Sequence, residues 1–431
     1  MQSIISYPLA TFRMGLWRLG QASCVLRSRR GPTVVVDPYL TDSAGRDAPR
    51  LSRRFPPPFP PEELSADLVL ITHNHIDHLD PGTLAPSPAL KSAVFCGSPV
   101  TCAALEKLGV ASDRLVKMEP GASGELKGVK VGAVKAVHDD GALGFVVGTE
   151  GGLSTYFVGD SRFDPSLAGA GHADVLVVPI NGKMGNMGAE DAAKLAKLIQ
   201  PRWAVPVHYD LMRANGEDPA AFEQQMEWAG LGGVACTLEP MQPLLVTEER
   251  NGVVPKGRLV MSWECGQPVR QIELPAGYTM RTFRETDISA LVGIYRKTLG
   301  AECGEGWFRE AVMGARFFSP ERVHIVDRAG FPVACGMAWE PGPIRDPRRG
   351  QAAFVVSSPE HHRRGLGKAL MTAIQRWFTK DMRHEVRLET DDFRLGGIRS
   401  YLALGFTPVM DNGTAALRWG NVMAGLEGEE A

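Results

Sequence analysis

The chain has few of the features that mark a secreted or a membrane protein. Its seven cysteines are odd in number and scattered, without a C-x-x-C pair, which argues against a disulfide framework and against a thiolate zinc site. No stretch approaches the roughly 18 consecutive apolar residues that a membrane span needs, and residues 1–19 lack the apolar core of a signal peptide. We therefore expect a cytoplasmic protein that does not enter a membrane.

An excess of charge of one sign is also missing. The formal net charge is -2 at pH 7, and no basic run with interleaved aromatic residues marks a nucleic-acid surface. We therefore expect small-molecule substrates as partners and no nucleic acid, and the sequence leaves homo-oligomerisation open.

The length of 431 residues exceeds that of one ordinary core, because domains average roughly 150 residues. The sequence changes character between Thr247 and Gly277, where turn-rich segments bracket a weakly patterned stretch. We therefore expect two domains, residues 1–248 and residues 278–424, joined by a linker at residues 249–277.

The first domain combines strand-like and helix-like segments. Short β-rich apolar runs recur as far as about residue 245, and helical patterns cover residues 100–108, 189–199 and 219–228. This mixture predicts an α+β sandwich with sheets inside and helices outside. The proline-rich segment 55–61 is expected as a surface loop, with a lid over the site as the alternative.

Possible metal ligands crowd one turn of the first domain. His73, His75, Asp77 and His78 follow directly after the apolar run 68–71. Imidazoles and a carboxylate on one turn repel or lose hydration when they are protonated or buried, so such a cluster usually persists because cations bind it. The turn therefore predicts a metal site.

Three more possible ligands, His138, Asp160 and His208, also follow apolar strands. The ends of neighbouring strands in layered α/β proteins open into one crevice, where ligands bind. Nitrogen and oxygen donors without cysteine suit zinc, manganese or iron. The pattern alone leaves open whether the site binds one ion, binds two ions or has a structural role.

The series H-x-H-x-D-H, followed by a later His, Asp and His, resembles the ligand series of the metallo-β-lactamase fold, an αββα sandwich. More narrowly, residues 14 to about 230 are similar to the L-ascorbate-6-phosphate lactonase family. The segments that carry this narrower resemblance are Gly20-Gln21-Ala22-Ser23, Asp37-Pro38-Tyr39, Pro179-Ile180-Asn181-Gly182, Gly185-Asn186-Met187, Pro206-Val207-His208-Tyr209-Asp210 and Asn215-Gly216-Glu217-Asp218-Pro219.

The resemblance implies a hydrolase with two divalent metal ions, zinc or manganese. The ligands that it implies are His73, His75 and His138 for the first ion, Asp77, His78 and His208 for the second, and Asp160 as the bridge. Two cations lower the pKa of a shared water and polarise the bond that it attacks. Asp77 would also be catalytic, orienting the nucleophile or passing a proton to the leaving oxygen.

Residues beside these ligands have more than one interpretation. Asp37 would orient a metal-binding histidine or cap a turn. By resemblance, Asn181, Tyr209 and Asp210 face the substrate or support the ligands, and turn chemistry explains Asn181 equally well. His172 matches no ligand position and is expected on the surface.

A glycine-containing loop at residues 362–367 marks the second domain. It lies between a strand at residues 351–357 and a helix that continues from Lys368. Glycines let backbone N–H groups approach phosphates, the helix adds the positive end of its dipole, and Arg363 and Arg364 add charge. An ordinary turn into a helix is the alternative.

This loop resembles the acyl-CoA pyrophosphate loop of GNAT acetyltransferases, and residues 398–406 are similar to the closing motif of that family. The resemblance covers about residues 278–420 and implies acetyl-CoA as the cofactor. The residues implied in its binding are Val355, Val356, Arg363, Arg364, Gly365, Leu366, Gly367 and Lys368. Tyr401 would protonate the departing thiolate, and Glu340 is a candidate base for the amine proton.

The second domain departs from the GNAT pattern at two places. His362 stands where Gln or Arg is usual, and Gly396-Gly397 stands where Ala is common. The first change weakens phosphate contact, and the second lowers helix propensity by about 1 kcal/mol per glycine.

The sequence therefore predicts a bifunctional enzyme. Its first domain would hydrolyse a lactone or a phosphoester of a small polar metabolite, and its second would acylate an amine from acetyl-CoA. The alternative is a hydrolase whose GNAT-like domain is catalytically silent and only binds an acyl-CoA or the substrate. A nucleic-acid-processing hydrolase is disfavoured by the mild acidity of the chain.

Overall fold

The computed structural model describes residues 1–149, 151–298, 303–315, 317–340, 346, 348–410 and 414–428. The chain divides into two units, Met1–Lys256 and Gly257–Ala431. Within the residues described, no helix combines the length and the apolar character that crossing a membrane requires.

The first unit alternates short strands and helices. Its strands are β1 (Phe12–Gly20), β2 (Ser23–Ser28), β3 (Thr33–Val36), β4 (Leu68–Leu70), β5 (Val94–Gly97), β6 (Leu115–Lys117), β7 (Ser123–Leu126), β8 (Val129–Lys135), β9 (Leu143–Gly148), β10 (Ser154–Phe157), β11 (Val175–Pro179), β12 (Trp203–Val207), β13 (Pro243–Thr247) and β14 (Gly252–Val253). Its α-helices are α1 (Gln2–Ile5), α2 (Ser43–Asp47), α3 (Pro81–Leu84), α4 (Ala89–Ser92), α5 (Pro99–Lys107), α6 (Ala189–Ile199) and α7 (Pro219–Trp228).

The strands of the first unit form two sheets. One has the order β14-β13-β1-β2-β3-β4-β5-β6, and the other has the order β12-β11-β10-β9-β8-β7. Alternate side chains of the strands point between the sheets, where Met14 and Leu16 of the first sheet share one buried cluster with Phe145, Val147 and Val205 of the second. The core of this unit therefore lies between its two sheets.

Helices cover the outer face of the six-stranded sheet. Ala192, Leu195 and Ile199 of α6 are buried in one cluster with Tyr156 and Leu176 of that sheet. Their spacing of three to four residues places one face of α6 on the sheet. The predicted α+β sandwich, with sheets inside and helices outside, is confirmed.

Parallel strands bring several chain segments to one edge of the sandwich. β3 pairs in parallel with β4, and β11 pairs in parallel with β10 and β12. The chain leaves β3 at Asp37 and β12 at His208, and both residues have positive φ angles, 46° and 59°. This left-handed conformation costs of order 1–3 kcal/mol for a residue other than glycine and persists where the surrounding structure imposes it.

The described strands of the second unit form one sheet, and helices pack on it. Its strands are β15 (Leu259–Glu264), β16 (Tyr278–Thr282), β17 (Val323–Arg328), β18 (Phe331–Trp339), β19 (Arg349–Ser357), β20 (Glu385–Thr390) and β21 (Thr407–Pro408), in the order β16-β17-β18-β19-β20-β15-β21. Its α-helices are α8 (Ile288–Thr298), α9 (Glu305–Trp307), α10 (Leu366–Lys380), α11 (Leu395–Ala403) and α12 (Ala415–Gly428).

The stretch 249–277, expected as a linker, contributes strands to both units. β14 pairs with β13 in the first unit, whereas β15 lies between β20 and β21 in the second. Leu259, Met261 and Trp263 alternate along β15 and are buried in the core of the second unit. The prediction of a linker was wrong for these residues, because the partner strands of β15 come much later in the chain.

A gap opens between β19 and β20. The two strands pair in parallel only as far as Ala352 and Leu388, although β19 continues to Ser357. β19 also carries a register shift opposite β18, and Phe354 there has a positive φ of 53°. Beyond Ala352, the backbone of β19 that faces β20 pairs with no residue of β20.

Candidate metal centre and acyl-CoA site

The seven predicted metal ligands meet at one edge of the sandwich. Their donor atoms form three groups, each within 4.8 Å, which are His73-His75-His138, His73-His78-Asp160 and Asp77-His78-His208. Because His73 and His78 belong to two groups each, the three groups make one continuous centre. The structure thus brings together every residue of the predicted ligand set.

The first set of imidazoles has the spacing of a tetrahedral site. His75 Nδ1 lies 2.9 Å from His73 Nε2 and 3.4 Å from His138 Nε2. Metal–nitrogen distances of about 2.0–2.1 Å in a tetrahedron separate the ligand atoms by about 3.3 Å. The three nitrogens therefore fit one small divalent cation.

The second set combines two carboxylates with two imidazoles. Asp160 Oδ1 lies 3.3 Å from His78 Nε2, and Asp160 Oδ2 lies 3.3 Å from His208 Nε2. Asp77 Oδ2 lies 3.7 Å and 3.4 Å from the same two nitrogens. Asp160 therefore reaches both imidazoles of this set with separate oxygens, and its carboxylate also groups with His73 of the first set, as a bridging ligand would.

Two atoms of this set test whether a cation fits. His78 Nε2 and Asp160 Oδ1 are buried, and the described residues give neither a hydrogen-bond partner. Buried polar atoms almost always have a partner. Both are donor atoms that zinc and manganese accept, so the residues present fit a divalent cation at this point.

A buried carboxylate fixes the orientation of His78. Asp37 Oδ2 lies 2.8 Å from His78 Nδ1, and Asp37 also accepts hydrogen bonds from the backbone N–H and hydroxyl of Thr72 at 2.8 Å and 2.6 Å. With its Nδ1 proton donated to Asp37, the imidazole directs the Nε2 lone pair into the centre. Of the two interpretations of Asp37, the structure supports the orientation of a histidine.

Gln21 lies inside the centre, although no role was predicted for it. Its side chain is fully buried, and its Nε2 lies 2.8 Å from Asp77 Oδ2 and 3.0 Å from His208 Nε2. Gln21 Oε1 is buried without a hydrogen-bond partner among the described residues. A half-turn of the amide would present this oxygen to the same point, where it could serve as a further ligand.

Three other contacts in the centre were also missed. Asp139 Oδ2 lies 2.8 Å from His75 Nε2, Asn186 Nδ2 donates to Asp160 Oδ2 at 2.8 Å, and Asn215 Nδ2 lies 3.3 Å from His208 Nδ1. Asn186 and Asn215 stand in segments that carry the lactonase resemblance, and Asp139 directly follows His138. Which atom each side chain meets depends on contacts between distant segments, so spacing alone could not predict it.

The carboxylates of the centre keep their negative charge. Burial raises the pKa of Asp160, but His208 and His78 outweigh it and hold that pKa well below its usual value. Burial likewise lowers the pKa of His208, and Asp160 with Asp77 overcomes this and raises it to about 9. By contrast, burial lowers the pKa of His73 to about 2. The centre therefore needs positive charge, which divalent cations supply without protonated imidazoles.

The remaining sequence candidates of the first unit lie beside the centre or outside it. Asn181 is buried and donates to the backbone oxygen of Lys183 at 3.3 Å, a contact of a turn. Tyr209 is buried, and Asp210 forms an ion pair with Arg54. His172 lies 3.3 Å from the backbone oxygen of Ile199 and belongs to none of the clustered groups.

The predicted phosphate loop precedes α10. Residues 362–365 are exposed, and Arg363 and Gly365 have positive φ angles of 60° and 77°. Alternation of left- and right-handed residues turns successive N–H groups to one side. Gly365 is the N-cap of α10 and has no side chain to occupy the N–H groups of the first turn, which contains Leu366, Gly367 and Lys368. The loop therefore has the features of an anion site.

A cavity of roughly 410 Å³ lies beside the gap between β19 and β20. Val355 and Val356 of β19 and Tyr401 of α11 all line it. Burial raises the pKa of Tyr401, with Arg394 opposing, so the hydroxyl is protonated at neutral pH. Three residues that the sequence assigned to acyl-CoA chemistry therefore share one cavity.

Glu340, the candidate base, lies elsewhere. It accepts hydrogen bonds from Arg322 Nη1 at 2.8 Å and Arg383 Nη2 at 2.9 Å, and it is absent from the residues that line the cavity. The structure does not support Glu340 as the base, whereas the exposed Glu389 of β20 lines the cavity together with Tyr401.

Known families match the two units separately. Residues 33–209 match the family described as the beta-lactamase superfamily domain, and residues 289–406 match the acetyltransferase (GNAT) family. The fold and the site thus define a metallo-β-lactamase-fold hydrolase domain followed by a GNAT acetyltransferase domain. Both broad resemblances of the sequence are confirmed.

Individual relatives give a narrower family assignment for the first unit. A UPF0173 metal-dependent hydrolase of Methanopyrus kandleri is 30% identical over 225 residues, which cover 49% of this chain and 90% of that protein. A UPF0173 metal-dependent hydrolase of Archaeoglobus fulgidus is 28% identical over 242 residues, covering 52% of this chain and 94% of that protein. The chain therefore belongs, through its first unit, to the UPF0173 metal-dependent hydrolases.

Solved structures include similar chains. Igni18, a metallo hydrolase from Ignicoccus hospitalis, is 23% identical, with a TM-score of 0.43, and the match covers 54% of this chain and 97% of that chain. The narrower resemblance to L-ascorbate-6-phosphate lactonases stays a prediction.

Proposed function

We propose that the first unit hydrolyses a lactone or a phosphoester of a small polar metabolite at a centre of two divalent cations, and that the second unit transfers an acetyl group from acetyl-CoA to an amine. The observation that carries the first half is the convergence of seven imidazole and carboxylate side chains, among them buried donor atoms to which the described residues give no hydrogen bond. The resemblance to L-ascorbate-6-phosphate lactonases favours a lactone.

We assign the ligands of the centre as the family resemblance implies. His73, His75 and His138 would bind one cation, Asp77, His78 and His208 the other, and Asp160 would join them. Zinc or manganese ions held there would lower the pKa of a water and would polarise the carbonyl or phosphoryl bond that it attacks.

The protein's own groups then orient the reaction and move its protons. Asp37 and Asp139 hold His78 and His75 in the tautomers that face the centre. Asp77, which is partly exposed, would accept a proton from the attacking water and return it to the leaving oxygen. Asp77 would thus be both a ligand and a catalytic residue.

The hydrolase proposal is tested on the purified full-length protein. We expect up to two equivalents of zinc or manganese by elemental analysis, hydrolysis of members of a panel of lactones and phosphoesters, and loss of that activity after chelation. His75→Ala should lower both the metal content and the rate. Metal-free protein after purification, with His75→Ala as active as the wild type, would contradict the proposal.

The second unit would carry out acyl transfer in the cavity beside β19. The backbone at Val355 and Val356, which pairs with no residue of β20, would pair with the pantetheine arm, and the loop before α10 would bind the pyrophosphate. The amine attacks the thioester carbonyl, Tyr401 gives its proton to the departing thiolate, and Glu389 accepts the proton that the amine loses.

Calorimetry and turnover together test the acyltransferase. Acetyl-CoA should bind the full-length protein, an amine panel should yield acetylated products, and Tyr401→Phe should lower turnover while leaving the affinity for acetyl-CoA within about twofold. Binding without transfer to any amine would instead identify a silent domain that senses acyl-CoA. No binding of acetyl-CoA would contradict both the acyltransferase and the acyl-CoA sensor.

A further inference from the structure

A buried arginine without a carboxylate partner lies close to the metal centre. Arg18 is 5% exposed, and it donates long hydrogen bonds of 3.3 Å from Nη1 to Leu238 O and from Nη2 to Tyr209 O. Its Nε is buried, and the described residues provide it with no acceptor. Burying a cation with only neutral carbonyls as partners is costly.

Arg18 lines a cavity of roughly 370 Å³, a volume within the range of small-molecule sites. Arg53 lines it too, donating from Nη1 to Tyr39 O at 3.1 Å and from Nε to Phe55 O at 3.2 Å. In the described part of the chain, neither guanidinium lies within an ion-pair distance of a carboxylate. Two guanidinium groups therefore line one cavity, and for Arg53 the compensating charge of Asp42 and Asp80 acts from beyond ion-pair distance.

The geometry of Arg18 favours a planar anionic group. The guanidinium stacks on the ring of Tyr209 at 4.1 Å, which covers one face and leaves donation in its plane. Carboxylates and phosphates bind a guanidinium in this plane with two parallel hydrogen bonds. Phe55 and Leu211 add apolar wall to the same cavity, so the ligand would also carry a hydrocarbon part.

Two carboxylates among the lining residues limit the positive charge. Asp210 is paired with Arg54, so its charge is largely neutralised within the protein. Glu239 is exposed, and water screens it more than it screens the buried Arg18. The two guanidinium groups therefore outweigh Glu239 as seen by a ligand inside the cavity.

The cavity adjoins the metal centre through two chain segments. Gly20, in its wall, precedes Gln21, which contacts Asp77, and Tyr209 follows His208. Consecutive Cα atoms lie about 3.8 Å apart. On both segments, therefore, a residue of the cavity wall is the direct neighbour in sequence of a residue of the metal centre. Gly20 has a φ of 123°, and a Cβ there would stand 3.9 Å from Arg53 Nη2.

We propose that this cavity binds the carboxylate or phosphate group of the molecule on which the metal centre acts, with Arg18 as the principal contact and Arg53 as the second. The inference rests on the proposed hydrolase function for the identity of the ligand. The anion site itself is tested without turnover.

The first experiment measures the binding of inorganic phosphate and of malonate to full-length, metal-stripped protein by calorimetry. Arg18→Met should weaken binding at least tenfold, whereas Arg18→Lys, which keeps the charge but loses the planar fork, should weaken it less. The preferred probe distinguishes a phosphate from a carboxylate site. Absence of binding to both probes, or wild-type affinity in Arg18→Met, overturns the proposal.

Arg114→Met provides a matched control. Arg114 Nη1 also binds two backbone oxygens, of Leu90 and Ala93, both at 2.9 Å, and Arg114 does not line the cavity. Both variants should lose thermal stability, but only Arg18→Met should lose anion affinity. An equal loss of affinity in Arg114→Met would show that Arg18 acts only as a structural tie and would overturn the assignment.

The second experiment connects the anion site to hydrolysis. With metal restored, a neutral lactone is compared with the same lactone bearing a carboxylate, and a neutral phosphotriester with a phosphomonoester. Arg18→Met should raise KM at least tenfold for the anionic member and leave the neutral member within about twofold. Equal effects on both members overturn the assignment to the substrate. Arg18-dependent anion binding with no hydrolysis of any substrate would defeat the proposed hydrolase function and leave the anion site intact.

Discussion

The two units of this protein present their candidate sites by different physical means. In the first, chemistry resides in side chains, since imidazoles and carboxylates converge and buried partners such as Asp37 fix their orientation. In the second, the cofactor would be bound mainly by the backbone, since the gap beside β19 and the exposed loop before α10 offer main-chain groups. The first site can therefore be destroyed by deleting one functional group, whereas the second depends on strand pairing and on allowed backbone angles.

The largest expected effect is the loss of stability when one strand of the sheet in the second unit is removed. A fragment that begins at Tyr278 lacks β15 and with it Leu259, Met261 and Trp263, each at most 2% exposed. Burial of such side chains stabilises by about 1.5–3 kcal/mol each, which together rivals the roughly 5–15 kcal/mol of a whole domain. We expect this fragment to show no cooperative thermal unfolding by circular dichroism.

A fragment that begins at Gly257 is the matched control for the loss of the first unit. It retains β15 between β20 and β21, and it should unfold cooperatively. If both fragments melt with the same transition, β15 is dispensable and the second unit does not depend on strand pairing in the way described.

The next effect separates the chemistry of the two units. Asp77→Ala should lower hydrolysis by about 10²- to 10⁴-fold, the usual contribution of a positioned acid or base, and should leave the affinity for acetyl-CoA unchanged. Asp140→Ala, which removes an exposed carboxylate two residues from His138, should stay close to wild type in both assays. Kinetic assays and calorimetry on the same preparations check this, and equal losses in the two variants would argue against a catalytic Asp77.

The same contrast explains what the sequence could predict. The metal centre was predictable because its donors are rare side-chain types placed directly after apolar strands, as His138 follows β8 and His208 follows β12. Helices with strong patterns were also predictable, since α6 and α7 occupy the predicted residues 189–199 and 219–228. Partners such as Gln21 and Asp139 were not, because they are defined by contacts across the fold.

In the second unit, local pattern was less informative. Leu259, Met261 and Trp263 do alternate as a half-buried strand requires, but turn-rich sequence on both sides made the stretch look like a linker. Glu389 was missed as a candidate base because an exposed carboxylate at the end of a strand is common. Only its position in the wall of the cavity with Tyr401 singles it out.

A smaller effect tests how far the first site depends on buried partners. Asp37→Asn should weaken metal binding by about 10- to 100-fold, the usual result of losing a carboxylate that orients a ligating histidine. Asp80→Asn is the control, because Asp80 is equally buried but bonds Thr41 and Thr83 instead of a candidate ligand. Competition with a chelator measures the affinity, and similar values for the two variants would deny Asp37 its orienting role.

The smallest effect concerns the glycines of the loop before α10. It distinguishes a need for a positive φ angle from a need for phosphates to approach the main chain closely. Gly365 has a φ of 77°, and nothing lies within 4 Å of a Cβ built on it. Gly365→Ala should therefore cost only the left-handed conformation, about 1–2 kcal/mol, which corresponds to a roughly 5- to 30-fold weaker affinity for acetyl-CoA if the loop shifts to relieve the strain. Calorimetry and thermal unfolding on the same samples measure both quantities.

Gly367→Ala is the more decisive variant of the two, because its expected effects on stability and on affinity have opposite signs. Gly367 lies in the first turn of α10 without a positive φ and with open space around a Cβ, so alanine should stabilise the helix by up to about 1 kcal/mol. If phosphates approach the backbone closely there, Gly367→Ala should nevertheless bind acetyl-CoA more weakly while it melts at a higher temperature. Opposite signs in the two measurements would place the cofactor against the main chain of this turn, whereas unchanged affinity would confine the role of the glycines to the turn at Gly365.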